Sequence, residues 1–298
     1  MGREEILRSY LEQCLFPQND VLHCAVSGGA DSSALLILAS MTGKEVIAHH
    51  VDHGLRPSGD AESDLVRGLA NKVGARFEAK VLSISDGSNL EARLRDARYE
   101  VLPTDVLTGH TADDQAETIL MNLMRGGGPD GLAGMTHHRH PIITLRRSDT
   151  EAVCEASDWV PFQDPSNQDP RFHRNRVRRE LIPLMNRLAQ RDVVPLLNRA
   201  GKIAEADSAF MKTLAEQIDV TDARALSEAP NVLAQRAVRA WLTEKHPPDL
   251  ASVERVLQVA RGEVLGTEIS GGRSIRRTNG KLRMETSSKE HGPPKENG

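Results

Sequence analysis

The chain has 298 residues, and its 38 Lys and Arg against 42 Asp and Glu leave a net charge of −4. That charge excludes a uniformly basic coat for nucleic acid, although it permits a local basic stripe. A chain of this length buries a large core and commonly divides into two domains. With five Phe, two Trp and two Tyr, recognition of a nucleotide or RNA must rely more on arginine and backbone groups than on stacking rings.

The first half of the chain alternates short apolar runs with amphipathic stretches of helical period. This alternation predicts an α/β domain with a parallel, doubly wound, Rossmann-like sheet that helices cover on both faces. Ligands of such sheets bind at the carboxyl ends of the strands. The predicted strands are 22–26, 45–51, 76–82 and 105–108, and the predicted helices are 33–39, 61–73, 90–102 and 112–124.

The pattern changes after about Arg147, where a loop-rich stretch leads into an Arg-rich segment at 171–191. Asn279-Gly280 between two alternating runs predicts a hairpin. Further helices are predicted at 193–218, 232–244 and 250–261, and strands at 268–270, 274–277 and 281–285. We therefore expect an N-terminal domain at 1–191, a smaller, mostly helical C-terminal domain with a terminal β-hairpin at 192–285, and a disordered tail at 286–298.

Cysteine usage and hydropathy indicate the compartment. Cys14, Cys24 and Cys154 lie far apart and form no CxxC pair, which is typical of a reducing environment. The N-terminus lacks the uninterrupted apolar core of a signal peptide, and no apolar run approaches the roughly 20 residues that cross a bilayer. We therefore expect a cytoplasmic protein.

A glycine-rich loop follows the first predicted strand and opens the first predicted helix. Its two glycines let successive backbone N–H groups approach an anion, and the helix N-terminus adds partial positive charge. Asp31 would repel a phosphate unless it held a cation, which indicates Mg²⁺. A plain glycine turn with a Ser or Asp helix cap is the alternative interpretation. The loop consists of Ser27, Gly28, Gly29, Ala30, Asp31 and Ser32.

Two further motifs stand at the ends of predicted strands: His50-Val-Asp-His-Gly-Leu-Arg56 and His110-Thr-Ala-Asp-Asp-Gln-Ala-Glu-Thr118. Asp114 falls at a helix start, where the helix dipole favours a carboxylate, so capping alone explains it. The alternative is a metal or catalytic role, since Asp114 and Asp31 follow different strands at the same sheet edge. Glu117, one turn later, either adds a ligand or orients Asp114.

The Arg-rich segment carries seven arginines against one acid, Glu180. A solvated helix paired with acidic neighbours is one interpretation. The other is contact with nucleic-acid phosphates, because the guanidinium fork matches phosphate oxygens, and such contacts supply affinity rather than sequence choice. The arginines are Arg171, Arg174, Arg176, Arg178, Arg179, Arg187 and Arg191.

Together with Glu91-Ala-Arg-Leu-Arg-Asp-Ala-Arg-Tyr99 and Asp164-Pro-Ser-Asn167, these motifs resemble those of the tRNA(Ile)-lysidine synthase family of N-type ATP pyrophosphatases. The register Arg95-x-x-Arg98-Tyr99 is similar to that family's A-R-x-x-R-Y helix and favours Arg95 over Arg93 as its functional arginine. The resemblance implies ATP binding by the loop and His53, with Mg²⁺ at Asp31 and Asp114. It implies catalytic roles for Asp31, Arg95, His110, Asp114 and Arg174, and contact with tRNA by Arg171, Arg174, Arg176, Arg178 and Arg179.

The resemblance also implies a reaction in which ATP adenylates the C2 oxygen of the wobble cytidine in an isoleucine tRNA with a CAU anticodon. L-Lysine then attacks C2 and expels AMP. The attacking amine must be neutral, so a nearby base is useful, and His110 and Asp114 are the candidates. The rivals are a thiolating tRNA-modifying enzyme, a synthetase for a small metabolite and a non-catalytic nucleotide sensor. The sequence leaves the oligomeric state open, a homodimer included.

Overall fold

The computed structural model describes residues 2–52, 59–82, 97, 100–163, 173–244 and 247–286. The chain forms two compact units, Met1–Glu205 and Ala206–Gly298. The division lies later in the chain than the expected domain boundary at residue 191, which stays a prediction. Of the expected tail, 287–298 lies outside the described residues.

The first unit is built on a parallel sheet, as the alternating pattern predicted. Among the described residues its strand order is β3-β2-β1-β4. The strands are β1 (Val21–Ala25), β2 (Glu45–Asp52), β3 (Arg76–Val81) and β4 (Leu107–Thr108). The helices are α1 (Arg3–Leu11), α2 (Ala30–Ser40), α3 (Gly59–Val73), α4 (Ala112–Met124), α5 (Pro129–Leu132), α6 (Arg147–Ala156), α7 (His173–Arg176) and α8 (Ile182–Ala189), with a 3₁₀ turn at His137–Arg139 and a π-helical turn at Val177–Leu181. Helix α9 (Val194–Ala215) begins in this unit and ends in the second.

Helix α2 is the centre of the hydrophobic core in this unit. Every residue from 32 to 39 is buried, and the helix packs against β1, β2, α3 and α6. Because a helix that is apolar all round can only be buried, its composition alone places it inside the unit. The loop at its start is therefore held on a rigid element.

The strand order places a crevice beside that loop. β1 lies between β2 and β4, so the connections leave it in opposite directions and a ligand site forms at the carboxyl ends. Gly109, directly after β4, lies against the first turn of α2. A Cβ at Gly109 would lie 2.7 Å from the backbone oxygen of Asp31 and 2.9 Å from the backbone nitrogen of Ser32. This close approach brings the ends of β1 and β4 together.

One expectation for this unit is wrong. The stretch after Arg147 was expected to be rich in loops, but 147–156 forms helix α6. Asp149 caps it by accepting a hydrogen bond from the backbone N–H of Arg146 at 2.8 Å. Its buried residues Thr150, Val153 and Cys154 have the spacing of one helix face, although two of the three are not strongly apolar. Most of the predicted helix at 90–102 lies outside the described residues.

The second unit is mostly helical and ends in an antiparallel sheet of order β5-β6-β7, as predicted. Asn279 and Gly280 both have positive φ angles, 50° and 75°, which suit the tight hairpin between β6 and β7. Its elements are α10 (Ala223–Glu228), α11 (Asn231–Leu242), α12 (Leu250–Arg261), β5 (Gly266–Ile269), β6 (Arg273–Thr278) and β7 (Lys281–Thr286). Across the described ranges, no helix combines the length and apolarity needed to cross a bilayer.

The approach at Gly109 leads to a stability prediction. Gly109→Ala should lower the free energy of unfolding by about 1–3 kcal/mol, because the new methyl group meets backbone atoms that cannot rotate away. Gly68→Ala is the matched control: it lies within α3, where the methyl group meets only a Trp159 ring carbon at 3.9 Å. Gly68→Ala should raise the free energy of unfolding by about 0.5–1 kcal/mol, because alanine favours the helix more than glycine does. Urea unfolding measures the free energy of unfolding of both variants. Equal changes in Gly109→Ala and Gly68→Ala would contradict the close approach at Gly109.

Candidate functional site

The crevice between the ends of β1 and β4 is a cleft of about 1010 Å³. Its walls come from the glycine-rich loop, the end of β4, the starts of α4 and α6, and the chain around Phe162. The π-helical turn contributes two arginines. The residues used below that line it are Ser27, Gly29, Ala30, Asp31, Ser32, Thr108, Gly109, His110, Asp114, Arg147, Trp159, Phe162, Arg178 and Arg179.

Hydrogen bonds within the glycine-rich loop, and one from Phe162, fix its backbone conformation. Gly28 has a φ of +90°, which a residue with a side chain rarely adopts, and its carbonyl accepts a hydrogen bond from the Phe162 N–H at 2.9 Å. The Ser32 hydroxyl donates to the Gly29 carbonyl at 3.0 Å and accepts from the Ser27 N–H at 3.2 Å. In the described structure no side chain caps the start of α2. The first turn of α2 therefore presents backbone N–H groups in the cleft, the arrangement that binds phosphates.

Asp31 lies in the first turn of α2 with its carboxylate half-buried. Oδ1 accepts a hydrogen bond from the Thr150 hydroxyl at 2.5 Å, and Oδ2 lies 3.7 Å from Nε of Arg147, beyond hydrogen-bond distance. Burial raises the pKa of Asp31 to about 6, against the opposing effect of the Thr150 hydrogen bond. Its ionised form is therefore costly, and a cation at Oδ2 would offset that cost.

Glu117 is the most enclosed charge of the site, with a side chain that is 0% exposed. Three guanidiniums surround it. Oε1 lies 2.9 Å from Nη1 of Arg147 and 2.7 Å from Nε of Arg178, and Oε2 lies 2.8 Å from Nε of Arg174. Such pairing is what an ionised group needs when it is removed from water. Arg147 also reaches Asp31, so the guanidinium cluster joins the two acidic regions of the cleft.

Asp114 is held as a carboxylate by the same arginines. Burial by itself raises its pKa, but the charges of Arg147 and Arg174 outweigh burial and hold the pKa below its usual range. Oδ1 lies 2.5 Å from Nη2 of Arg147, and Oδ2 accepts from the Thr111 N–H at 2.9 Å and the Thr111 hydroxyl at 3.0 Å. The helix-capping interpretation thus describes one oxygen of Asp114, and the arginine pairing describes the other.

The structure brings together most of the residues singled out in the sequence. The loop residues, Asp31, His110 and Asp114 share the cleft, and Arg174 contacts the Asp114 carbonyl oxygen at 3.2 Å. Arg178 and Arg179 also line the cleft, whereas Arg176 pairs with Glu180 on the exposed side. His53, Arg95 and Arg171 lie outside the described residues. The roles assigned to all these residues stay predictions.

Arg147 is the main residue that sequence reasoning missed. A signal was present, because Arg146 and Arg147 are consecutive cations at the start of a helix, where the dipole disfavours positive charge. Such a placement indicates carboxylates nearby, and the structure supplies them. Arg146 makes a two-pronged pair with Asp113 at 2.9 and 3.0 Å, while Arg147 pairs with Asp114 and Glu117.

The described residues offer little for metal-cluster or thiol chemistry. Within the part of the chain that the structure describes, no group of three or more His, Cys, Asp or Glu is arranged to hold a metal ion. All three cysteines are free, and burial raises the pKa of Cys14, Cys24 and Cys154 to about 12 each. A thiol must ionise to act as a nucleophile, so these cysteines do not favour thiolation chemistry.

Comparisons with known proteins agree with one another. A family model described as a PP-loop domain matches residues 4–185. The tRNA(Ile)-lysidine synthase of Nocardia farcinica is 36% identical over 89% of this chain and 90% of its own length. That of Rhodococcus erythropolis is 38% identical over 74% of this chain and 73% of its own length.

Among solved structures, the U34-tRNA thiolase NcsA from Methanococcus maripaludis with its [4Fe-4S] cluster superposes with a TM-score of 0.54. The match covers 68% of this chain and 79% of that one at 15% sequence identity. At that identity the likeness concerns the fold alone.

The guanidinium cluster leads to the second stability prediction. Arg147→Met keeps the length of the side chain but removes a charge that compensates buried carboxylates, so the free energy of unfolding should fall by about 3 kcal/mol. The control is Arg176→Met, since Arg176 pairs only weakly with the exposed Glu180 at 3.4 Å, and its loss should cost about 0.5 kcal/mol or less. Denaturant unfolding of both variants decides the matter, and similar losses would refute the structural role of Arg147.

Proposed function

Because the chain belongs to the tRNA(Ile)-lysidine synthase family of PP-loop proteins, we propose that it is a ligase that attaches L-lysine to the wobble cytidine of a CAU-anticodon isoleucine tRNA. The cytidine C2 oxygen attacks the α-phosphorus of ATP, and pyrophosphate leaves. The lysine amine then forms a bond to C2 while the C2–O bond breaks. AMP departs with that electron pair, and the amine proton passes to a base.

The observation that carries this proposal is the cleft itself. It joins the uncapped start of α2 and its glycine-rich loop to Asp31, His110 and Asp114 in a space of about 1010 Å³. The backbone N–H groups of the first helical turn supply donors for the triphosphate, and the helix dipole favours the same negative charge. The polar groups around the loop are already oriented, which lowers the cost of stabilising charge that develops during the reaction.

Mg²⁺ fits one of the two carboxylates proposed for it better than the other. Asp31 has an oxygen, Oδ2, that makes no close hydrogen bond with Arg147, and its ionised form is costly without a cation. Both oxygens of Asp114 are engaged by Thr111 and Arg147. We therefore propose Asp31 as the principal protein ligand, with Asp114 orienting the arginines. When bound, the ion would supply positive charge to the phosphate oxygens of ATP.

His110 is the better candidate for the base. The amine of lysine has a pKa near 10.4 in water and must lose a proton to attack C2. Asp114 has a lowered pKa and engaged oxygens, so it accepts a proton poorly. His110 lines the cleft, and an imidazole changes its protonation near neutral pH. Nε2 of His110 is the atom we propose to take the amine proton.

The arginines of the Arg-rich segment divide into two groups, those that contact inner carboxylates and those that are exposed to solvent, and each group suits a different role. Arg174 and Arg178 turn inward to Glu117, while Arg176 and Arg179 are exposed. We propose that Arg174 orients the reacting groups through the Asp114 and Glu117 cluster. The exposed arginines suit contacts with tRNA phosphates, which add affinity without reading sequence.

The reaction is tested with purified protein, radiolabelled lysine and a CAU-anticodon isoleucine tRNA. Label should enter the tRNA only when ATP is present, and pyrophosphate release should require the tRNA. Asp31→Ala should abolish incorporation. The matched substrate is the same tRNA with uridine at the wobble position, which should take up no lysine. Pyrophosphate release without tRNA, or tRNA that carries no lysine after reaction with both ATP and lysine, would overturn the proposal.

Substitutions of the inward and the exposed arginines should change different kinetic quantities. Arg174→Ala should lower kcat at saturating tRNA by about tenfold or more, with the Kd for tRNA unchanged, because Arg174 contacts the inner carboxylates. Arg179→Ala should weaken tRNA binding and reduce its salt dependence by about one counterion, while kcat at saturation is retained. Filter binding across salt concentrations, with single-turnover rates, measures both. Weaker tRNA binding by Arg174→Ala would contradict the division.

A further inference from the structure

The side chains of Thr108, His110 and His140 meet at the end of β4. The Thr108 hydroxyl oxygen lies 2.7 Å from Nδ1 of His110 and 2.6 Å from Nδ1 of His140. The two Nδ1 atoms are 3.2 Å apart, and the rings meet edge to face with centroids 4.7 Å apart. Thr108 is buried, and His140 is half-buried. The mechanism above uses His110 and leaves Thr108 and His140 without a role.

The number of hydrogens limits how this triad is bonded. A threonine hydroxyl has one hydrogen, so it donates to one of the two ring nitrogens and must accept from the other. One histidine therefore carries its hydrogen on Nδ1, and its neighbour carries its hydrogen on Nε2. Two protonated Nδ1 atoms at 3.2 Å would instead repel each other.

His140 is held neutral in this setting. Burial, followed by the adjacent His110 and by Arg139 and His138, lowers the pKa of His140 to about 3, while Asp114 has a weaker opposite effect. Neutrality allows either tautomer of His140, but only one of the two arrangements leaves Nε2 of His110 able to take the amine proton. In that arrangement Nδ1 of His140 accepts from the Thr108 hydroxyl, and Thr108 accepts from Nδ1–H of His110.

We propose that Thr108 and His140 are positioning residues that hold His110 in the Nδ1–H tautomer, which leaves Nε2 as the unprotonated atom. This inference rests on the proposed function, since it concerns the base of that reaction. When Nε2 takes the amine proton, the chain His110 Nδ1–H to Thr108 to His140 keeps its two hydrogen bonds. The imidazolium thus forms without rearrangement of Thr108 or His140, and it later returns the proton to solvent.

The tautomer is measured directly by ¹⁵N NMR of the histidine rings in the full-length protein without substrates. His110→Asn identifies the His110 signals by their loss. The wild type should show hydrogen on Nδ1 of His110, and Thr108→Val should shift His110 toward the Nε2–H form. Hydrogen on Nε2 of His110 in the wild type would overturn the inference. This readout needs no activity, so it stands apart from failure of the proposed function.

Steady-state kinetics provide a second test of the positioning role. Thr108→Val should lower kcat about tenfold or more with the KM for ATP changed less than about twofold, because only the proton transfer is impaired. Thr108→Ser keeps the hydroxyl and should retain most of the activity. His140→Phe should resemble Thr108→Val, and His138→Phe, at an exposed neighbour, should resemble the wild type. Equal losses in Thr108→Val and Thr108→Ser would refute the positioning role. If Thr108→Val does not fold, the His140→Phe and His138→Phe pair decides.

Discussion

The carboxylate of Glu117 is sealed from solvent, and the arrangement of the cleft depends on how its charge is compensated. Moving an ionised group out of water costs several kcal/mol unless opposite charges and hydrogen bonds replace the water. Arg147 at the start of α6, Arg174 in α7 and Arg178 in the π-helical turn provide them together. Two segments that are distant in the chain, the start of α6 and the continuous stretch 174–178, are thereby held around Glu117 in the first half of α4, and two walls of the cleft follow from that one requirement.

The same constraint changes the meaning of the Arg-rich segment. Its local excess of positive charge resembled a surface for nucleic acid, yet Arg174 and Arg178, one helical turn apart, point to Glu117. The π-helical turn falls within this stretch, and such turns are frequent at functional sites. Arg176 and Arg179 are exposed to solvent, and Arg179 also lines the cleft. One short segment therefore presents guanidiniums both to the inner carboxylates and to solvent, which fits a net charge of −4 for the whole chain.

The glycine-rich loop depends on a second constraint, the approach of Gly109 to the first turn of α2. The backbone contact there leaves no room for a side chain, and it brings His110, the next residue in the chain, into the same cleft as Ser27 and Asp31. Because α2 is buried along its length, the position of the loop is set by the core rather than by a ligand. A phosphate site built on such an element is ready before ATP binds.

The sequence by itself determined the local elements and the kind of chemistry. Alternating strands and helices, the apolar stretch 34–39 of α2 and Asn279-Gly280 each carry their signal within a short window, so the parallel sheet, the buried helix and the terminal hairpin were all predictable. The glycine-rich loop and its family resemblance indicated a nucleotide site for the same reason. Only the tertiary structure decided which polar groups meet: Thr150 with Asp31 across 119 positions, Arg174 with Glu117 across 57, and His140 with His110 across 30. Periodicity tells which face of an element is apolar, but the partner of a buried charge is whatever group the fold brings within about 3 Å, and that distance is set by packing between distant segments.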